Sequence, residues 1–100
     1  MWTNKALKAF VEKYKNRISA IHLNNNKVLM IDYPGKYTTK LSDISFETFE
    51  GIDLMVVDHI DNSSGREVRF KTYTTTEFIE GIDVLDEADQ EYRIDPLRFK

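Results

Sequence analysis

The sequence contains two histidines, and one of them lies among carboxylates. His59 directly follows Asp58 and precedes Asp61 by two residues. Residues two apart on a β-strand point to the same face, so we expect His59 and Asp61 to be neighbours. A histidine beside a carboxylate can act as an oriented general base or as a metal ligand. No nucleophile or further ligand is near in sequence, although a distant residue such as Asp53 could join the pair. The pattern therefore favours a half-exposed structural histidine.

Other catalytic patterns are weaker. His22 stands between Ile21 and Leu23 with no acid nearby in sequence, which indicates a structural role. A metal-dependent nuclease of the restriction-like class needs an Asp followed by Glu-x-Lys, and the nearest match, at residues 67–69, has Arg in place of Lys. The sequence also lacks a phosphate-binding glycine loop and a Gly-x-Ser-x-Gly motif. We therefore predict that the protein is not an enzyme.

A short motif occurs twice and raises the question of a cation site. Residues 50–54 read Glu-Gly-Ile-Asp-Leu, and residues 80–84 read Glu-Gly-Ile-Asp-Val. Either an internal duplication or two independent Glu-Gly turns that enter strands would explain this recurrence. Calcium loops carry Asp, Asn and Gly far more densely than this motif does. We therefore predict no bound metal and no cofactor.

The distribution of charge is more informative than the net charge of −3. Residues 1–40 carry eight bases and two acids, whereas residues 41–100 carry six bases and fifteen acids. The segment from 77 to 91 contains seven carboxylates and no base. Such asymmetry is typical either of ends that neutralise each other in the fold or of a nucleic-acid-binding half. It also leaves open an acidic nucleic-acid mimic formed by residues 77–91.

Two candidate surfaces follow from the basic part of the chain. For nucleic acid, several bases must share one surface, and the candidate contacts are Lys5, Lys8, Lys15, Arg17 and Lys27. The sequence pI of about 5.3 disfavours that function, because dedicated binders are basic. For a protein partner, aromatic and basic residues suitable for an interface are Trp2, Tyr33, Lys36, Tyr37 and Lys40.

Composition excludes several classes of protein. A chain of 100 residues with 41% hydrophobic residues is expected to form a single domain, residues 1–100, with its own core. The absence of cysteine excludes disulfide frameworks, zinc fingers and thiol nucleophiles. No apolar run approaches the roughly 20 residues that span a bilayer. We expect a cytoplasmic protein with no membrane contact, and the abundance of Lys, Asn, Ile, Thr and Tyr suggests a bacterial or phage origin.

Periodicity predicts one helix and several strands. Leu7, Phe10, Val11 and Tyr14 form a helical stripe within residues 4–16, with Thr3 as the N-cap and Trp2 packed on Leu7. Alternation and turn residues then predict strands around 21–23 and at 27–33, 37–41, 52–61, 66–76 and 91–95. Segment 42–51 is ambiguous and is predicted as extended. Residues 83–90 are expected to contain a helical turn, and residues 78–85 fit a short helix or a strand. The predicted core combines the helical stripe with Ile21, Leu23, Val56, Val68 and Phe70.

These elements predict an α+β fold: an N-terminal amphipathic helix packed on a curved antiparallel sheet of five to six strands, barrel-like if it closes. A helix followed by about five antiparallel strands resembles the topology of Sm-like RNA-binding barrels in element order, and no residue role is transferred from it. The favoured function is non-catalytic protein binding by a small accessory or adaptor protein. Its partner is a protein, nucleic acid is the alternative, and homodimer and monomer are equally open.

Overall fold

The computed structural model describes residues 2–32 and 39–95 of the chain. In these residues one helix precedes seven strands: α1 (Asn4–Lys13), β1 (Ile18–Leu23), β2 (Val28–Met30), β3 (Lys40–Phe49), β4 (Ile52–Asp61), β5 (Val68–Thr75), β6 (Ile79–Leu85) and β7 (Glu91–Ile94). The strands form two antiparallel sheets, with orders β2-β1-β6-β7 and β3-β4-β5. The predicted α+β class, with an N-terminal helix and antiparallel strands, is confirmed.

The sheet arrangement differs from the prediction in two respects. There are two sheets, of four and three strands, in place of one sheet of five to six, and in the described residues the strands do not close into a barrel. Closure requires a hydrogen-bonded ladder that continues around the ring. Here a single backbone bond, from Ser42 N–H to the Asp32 carbonyl at 2.6 Å, links β3 to the segment that follows β2. The resemblance to Sm-like barrels therefore ends at element order.

Helix α1 forms where its cap and its apolar stripe predict it. The Thr3 hydroxyl accepts a hydrogen bond from the Ala6 N–H at 3.1 Å, which satisfies one of the free donors of the first turn. Leu7 and Phe10 are fully buried, and Val11 and Tyr14 are partly buried against them. The helix ends three residues earlier than predicted, and Asn16 with φ of 64° adopts a left-handed conformation that no helix continues.

A single hydrophobic core joins the helix to both sheets. It comprises Trp2, Leu7 and Phe10 from the N-terminal segment, Met55 and Val57 from β4, and Ile18, Ile21, Ile31, Ile79, Ile82, Val84 and Ile94 from the four-stranded sheet and its flanks. Two predicted core residues are exposed instead: Val68 is 50% and Phe70 is 55% accessible. Both lie on β5, an edge strand of the three-stranded sheet. Alternation along a strand identifies its two faces, but it does not reveal whether anything covers the apolar one.

The remaining predictions are met in part. The helical turn expected within residues 83–90 is not found there, and the predicted strands 27–33 and 37–41 lie partly outside the described residues. The ambiguous segment 42–51 is extended as expected, since it belongs largely to β3, and β4 is the central strand of its sheet. Residues 78–85 form mainly strand β6, not a helix. Residues 86–90 make a turn without a helix, in which the Asp86 carboxylate accepts the Ala88 and Gln90 N–H groups, each at 2.8 Å. No helix in the described part of the chain is long and apolar enough to cross a membrane.

Candidate functional site

The structure describes two of the five residues predicted for a protein interface, Trp2 and Lys40. Tyr33, Lys36 and Tyr37 lie outside the described residues. Trp2 is only 2% exposed and packs edge-to-face on Phe10, with ring centroids 5.2 Å apart. Its side chain therefore belongs to the core and not to a surface, which corrects its assignment as an interface residue. Lys40 is exposed at the start of β3, opposite Asp61.

The candidate nucleic-acid contacts are only partly brought together. Lys5 and Lys8 are exposed on α1, and Lys15 is exposed in the turn that follows it. Arg17 is half-buried, and its Nε donates to the Leu85 carbonyl at 2.7 Å. Lys27 follows the turn at the other end of β1, so a six-residue strand of about 20 Å separates it from Arg17.

Several carboxylates of segment 77–91 are used inside the fold. Asp83 is 8% exposed and is bonded to His22 and Arg93, and Glu91 accepts the Ser19 hydroxyl at 2.7 Å. Asp86 organises the β6–β7 turn through the bonds described above. The exposed acidic residues of the segment that make none of these bonds are Glu77, Glu80, Glu87 and Asp89.

His59 is a buried residue of the three-stranded sheet. It is 7% exposed, and its ring stacks on Phe70 with centroids 4.5 Å apart. Its ring nitrogens lie 3.1 Å from the Thr72 hydroxyl and 3.4 Å from the Ser42 hydroxyl. Burial lowers the pKa of His59, and the charges of Asp32 and Asp58 oppose that shift only partly. The imidazole is therefore neutral at pH 7 and is held as a structural group.

Asp61 does not pair with His59, although the two share a face. The Asp61 carboxylate accepts the Ser63 backbone N–H at 2.8 Å and also the Ser63 hydroxyl. These bonds lower the pKa of Asp61. The carboxylate thus organises the turn between β4 and β5 and leaves His59 without an acid to orient it.

His22, which the sequence assigned a structural role without an acid nearby, forms a polar cluster with Asp83 and Arg93. Its Nε2 lies 2.6 Å from Asp83 Oδ2, and Arg93 Nε donates to Asp83 Oδ1 at 3.3 Å. Arg93 Nη2 lies 3.2 and 3.0 Å from the two ring nitrogens of His22. Because Asp83 accepts the Nε2–H, Nδ1 is the ring nitrogen that can accept from Arg93. Sixty-one residues separate His22 from Asp83, which is why local sequence did not reveal the pair.

Gly81 is the one sequence signal that points to this cluster. It lies within β6 and faces the stem of Arg93, so that an added Cβ would lie 2.9 Å from Arg93 Cδ. Glycine in a strand interior often marks such a close approach. The two Glu-Gly-Ile-Asp motifs therefore have different structures: Gly51 occupies a hairpin turn with φ of 79°, whereas Gly81 lies mid-strand.

The two motif aspartates do not converge on a cation. The Asp53 carboxylate accepts the Thr48 hydroxyl at 3.0 Å, and Asp83 is bonded to His22 and Arg93. Among the described residues there is no group of three or more His, Cys, Asp or Glu side chains arranged to hold a metal ion. A cavity of about 400 Å³ beside Asp53 and the start of α1 adds only Glu77 to the titratable groups there.

One face of the three-stranded sheet carries exposed hydrophobic residues together with polar ones. Met55 and Val57 point into the core, so the alternating residues Ile52, Leu54, Val56, Asp58 and Ile60 of β4 lie on the opposite side, which we call the outer face. Cross-strand partners share a face. The outer face therefore also carries Leu41, Asp43, Ser45, Glu47 and Phe49 from β3 and Arg69, Lys71, Tyr73 and Thr75 from β5. Phe49 is 62%, Ile52 50% and Tyr73 56% exposed.

In residues 2–32 and 39–95, one hydrogen-bonding edge of strand β5 is not paired with another strand. Phe49 and Ile52 flank the two-residue turn between β3 and β4, and the flanking residues of such a hairpin form a hydrogen-bonded pair. The bond from the Asn62 N–H to the Thr39 carbonyl, 2.9 Å long, continues the same alternation. The backbone N–H and carbonyl groups of the even-numbered residues of β4 therefore point toward β3. The odd-numbered ones face β5 and pair with its even-numbered residues.

The backbone groups of β5 that point away from β4 follow from this alternation. They belong to Arg69, Lys71, Tyr73 and Thr75. Within the described part of the chain, no backbone hydrogen bond between elements uses these groups. The backbone N–H and carbonyl groups of these four alternate residues, on a strand of eight residues, are thus available to pair with another strand.

Comparisons of the chain with protein-family models, with curated proteins and with solved structures found no match.

Proposed function

We propose that this protein is a non-catalytic binding protein and that its partner is another protein, bound at the three-stranded sheet. One observation carries the proposal. Of the ten large hydrophobic residues that are exposed in the described part of the chain, six belong to β3, β4 or β5. These six are Leu41, Phe49, Ile52, Val68, Phe70 and Tyr73.

Their chemistry and placement support an interface. Scattered single hydrophobic residues are normal on a protein surface, but a contiguous apolar patch marks an interaction site. On the outer face, Phe49 and Ile52 are paired across β3 and β4, and Tyr73 is paired with Val56, four residues further along β4. Val68 and Phe70 lie on the opposite face of β5. Aromatic residues are enriched at the centres of protein interfaces because they contribute a large contact area from a stiff side chain.

The state of both histidines supports a non-catalytic role. His59 is enclosed by two hydroxyls and an aromatic ring, and a hydrogen-bonded carboxylate and a guanidinium occupy the ring nitrogens of His22. The Ser19 hydroxyl, the polar group next to the His22 cluster, is bonded to Glu91. A general base needs a free nitrogen directed at a reacting group. We also propose a cytoplasmic location, because a chain without cysteine suits a reducing compartment.

One observation favours nucleic acid as the second candidate partner. Lys5, Lys8 and Lys15 are exposed in and just after α1. Phosphate binding at these lysines would make affinity depend steeply on salt, whereas an apolar protein interface depends on it weakly. Salt dependence therefore separates the two candidates.

The test is site-specific photo-crosslinking in cells of the source organism. A photoreactive phenylalanine replaces Tyr73 on the outer face or, as the matched control, Tyr92 on the four-stranded sheet, which is 40% exposed. We expect a discrete protein adduct from position 73 and none from position 92. The adduct is identified by mass spectrometry, and the purified partner is titrated at 50 and 500 mM salt.

We expect the affinity for that partner to change less than about tenfold between the two salt concentrations, and the Ile52→Ser variant to weaken it about tenfold or more. Phe78→Ser is the control, since Phe78 is 44% exposed outside the three-stranded sheet. A nucleic-acid adduct with a probe at Lys8, together with a loss of affinity of about a thousandfold at high salt, would establish the alternative. Equal adducts from positions 73 and 92 would contradict the proposed site.

A further inference from the structure

We infer that the partner contributes an extended acidic segment, which adds to the three-stranded sheet as a fourth strand beside β5. This inference rests on the proposed function and specifies how the partner binds and which chemistry it carries. It follows from the direction of the backbone groups on β5 and from the side chains that flank them.

The backbone of β5 can accept a strand along most of its length. Arg69, Lys71, Tyr73 and Thr75 direct their N–H and carbonyl groups away from β4. Main-chain hydrogen bonds supply affinity in strand addition, and alternating side-chain contacts supply specificity. The side chains of Arg69, Lys71 and Tyr73 are exposed, and that of Thr75 is half-buried.

The charges on β5 select the residues of the incoming strand. Arg69 and Lys71 are two positions apart on the outer face, and a residue directly opposite each lies about 5 Å away on that face. Glu67 lies 3.1 Å from Arg69, and Asp58 is the β4 residue opposite Lys71. The partner residue opposite Lys71 lies two strand spacings, about 10 Å, from Asp58. Lys71 is therefore the charge nearest to that partner residue. A carboxylate opposite Lys71 is favourable, and a lysine there is repelled. Opposite Arg69 the preference for a carboxylate is weaker, because the guanidinium is already paired with Glu67.

The inner side of β5 selects apolar residues between the acidic ones. Val68 and Phe70 are exposed on that side, and Tyr73 extends the apolar surface on the outer face. An antiparallel partner strand, read from its N-terminus, therefore meets Tyr73, Thr72, Lys71, Phe70, Arg69 and Val68 in turn. The pattern that fits is apolar, any residue, acidic, apolar, acidic, apolar.

A second copy of β5 does not supply this pattern. Glu67 is the acid nearest to β5 in sequence. In an antiparallel pair of two β5 strands related by a two-fold axis, Glu67 lies opposite Arg69 if the axis passes through Val68. It lies opposite Lys71 if the axis passes through Arg69. Such registers overlap only at the beginning of the strand. An axis at Lys71 sets two lysines against each other, which is destabilising. An axis at Thr72 sets Lys71 against Tyr73 and Arg69 against Thr75, which places no acid opposite either basic residue. Among strands of this kind, an acidic partner segment is the better complement.

The test uses two synthetic peptides with solubilising flanks. The acidic peptide carries Val-Thr-Glu-Val-Glu-Val, and its matched control carries Val-Thr-Lys-Val-Lys-Val. We expect the acidic peptide to bind about tenfold or more tightly, given the reversal of two close charge pairs. Backbone amide shifts in an NMR titration should be largest along β5. Equal binding of the two peptides, or no binding of the acidic one at millimolar concentration, would overturn the inference.

Two variants separate the backbone contribution from the charge contribution. Lys71→Ala removes the charge and keeps the outward N–H, whereas Lys71→Pro removes both and leaves the bonds to β4 in place. We therefore expect Lys71→Pro to bind at least about tenfold more weakly than Lys71→Ala, with the fold retained. Arg69→Glu combined with Lys71→Glu keeps every backbone group, and we expect it to prefer the lysine peptide. Binding that survives Lys71→Pro would exclude strand addition. A protein with no peptide binding that forms a dimer in light scattering would show that a second copy occupies the edge instead.

The outcome is distinguishable from failure of the proposed function. A partner could crosslink at position 73 and bind Ile52→Ser more weakly, yet bind Lys71→Pro as tightly as the wild type. That result would support protein binding at the outer face and refute strand addition alone. The absence of any protein partner at position 73 would refute the proposed function itself.

Discussion

His59 is the buried titratable side chain of the three-stranded sheet, and burial lowers its pKa below the ordinary value of 6.5. The unfolded chain therefore takes up a proton near pH 6.5, while the folded protein does so only at lower pH. The stability contributed by neutral His59 is complete above pH 6.5 and declines as the pH falls toward its lowered pKa.

We expect the His59→Gln variant to lose less unfolding free energy than the wild type when the pH is lowered from 7.5 to 5.5. Glutamine retains hydrogen-bonding capacity toward Thr72 and Ser42 but does not titrate. Urea denaturation at both pH values measures the difference, and the comparison between pH 7.5 and 8.5 is the control because His59 is neutral at both. An identical acid dependence in the two proteins would show that His59 is not buried as a neutral group.

Gly81 is explained by the side chain of Arg93, which crosses it to reach Asp83. A Cβ at position 81 would lie 2.9 Å from Arg93 Cδ, so the arginine stem has to move. We expect Gly81→Ala to lower the unfolding free energy by about 1 kcal/mol, the usual cost of crowding a packed site.

The matched background is Arg93→Ala, in which the added methyl meets no stem. In that background we expect Gly81→Ala to be close to neutral, so that the double-mutant cycle yields a coupling of about 1 kcal/mol. Denaturant unfolding of the four proteins measures it. Additive effects of the two substitutions would mean that the Arg93 side chain is not the reason for glycine at position 81.

The edge of β5 makes adjacent residues respond differently to proline. Thr72 directs its N–H toward β4, whereas Lys71 directs its N–H outward. We therefore expect Thr72→Pro to cost about 2 kcal/mol more than Lys71→Pro, since it removes a ladder hydrogen bond and leaves a carbonyl without its donor.

Thermal and urea unfolding of the two variants measure this difference. Thr72→Ala and Lys71→Ala serve as controls for the loss of each side chain. If Lys71→Pro proved the more destabilising of the pair, the alternation assigned to β5 would be reversed, and with it the set of backbone groups available to a partner.

A single core joins α1 to both sheets, so the molecule should unfold as one unit. Phe10 is fully buried between Trp2 and Tyr14, and we expect Phe10→Ala to lower the unfolding free energy by about 3–5 kcal/mol. The transitions followed by Trp2 fluorescence and by far-UV circular dichroism should coincide, since one probe reports the helix and the other the sheets.

Phe78→Ala is the matched control, because Phe78 is 44% exposed and should cost much less. Separate transitions for the two probes would indicate that the three-stranded sheet is stable without the helix. A loss below about 1 kcal/mol for Phe10→Ala would mean that this helix face is not packed.

The sequence determined the local elements because their signals act over a few residues. Thr3 and the stripe from Leu7 to Tyr14 specify the helix, asparagines 24–26 specify a turn in which Asn25 and Asn26 adopt positive φ, and alternation specifies the strands. Composition and these elements together were sufficient for the α+β class.

The tertiary structure alone decided what each face meets. The sequence assigned Phe70 to the core and placed no acid beside His22, whereas in the fold Phe70 lies on an open edge and Asp83 bonds to His22 from 61 residues away. Alternation is a property of one strand, but burial and pairing depend on which strands become neighbours and which edges stay uncovered. The division into two sheets and the open edge of β5 both depend on those long-range pairings, which no local signal in the sequence encodes.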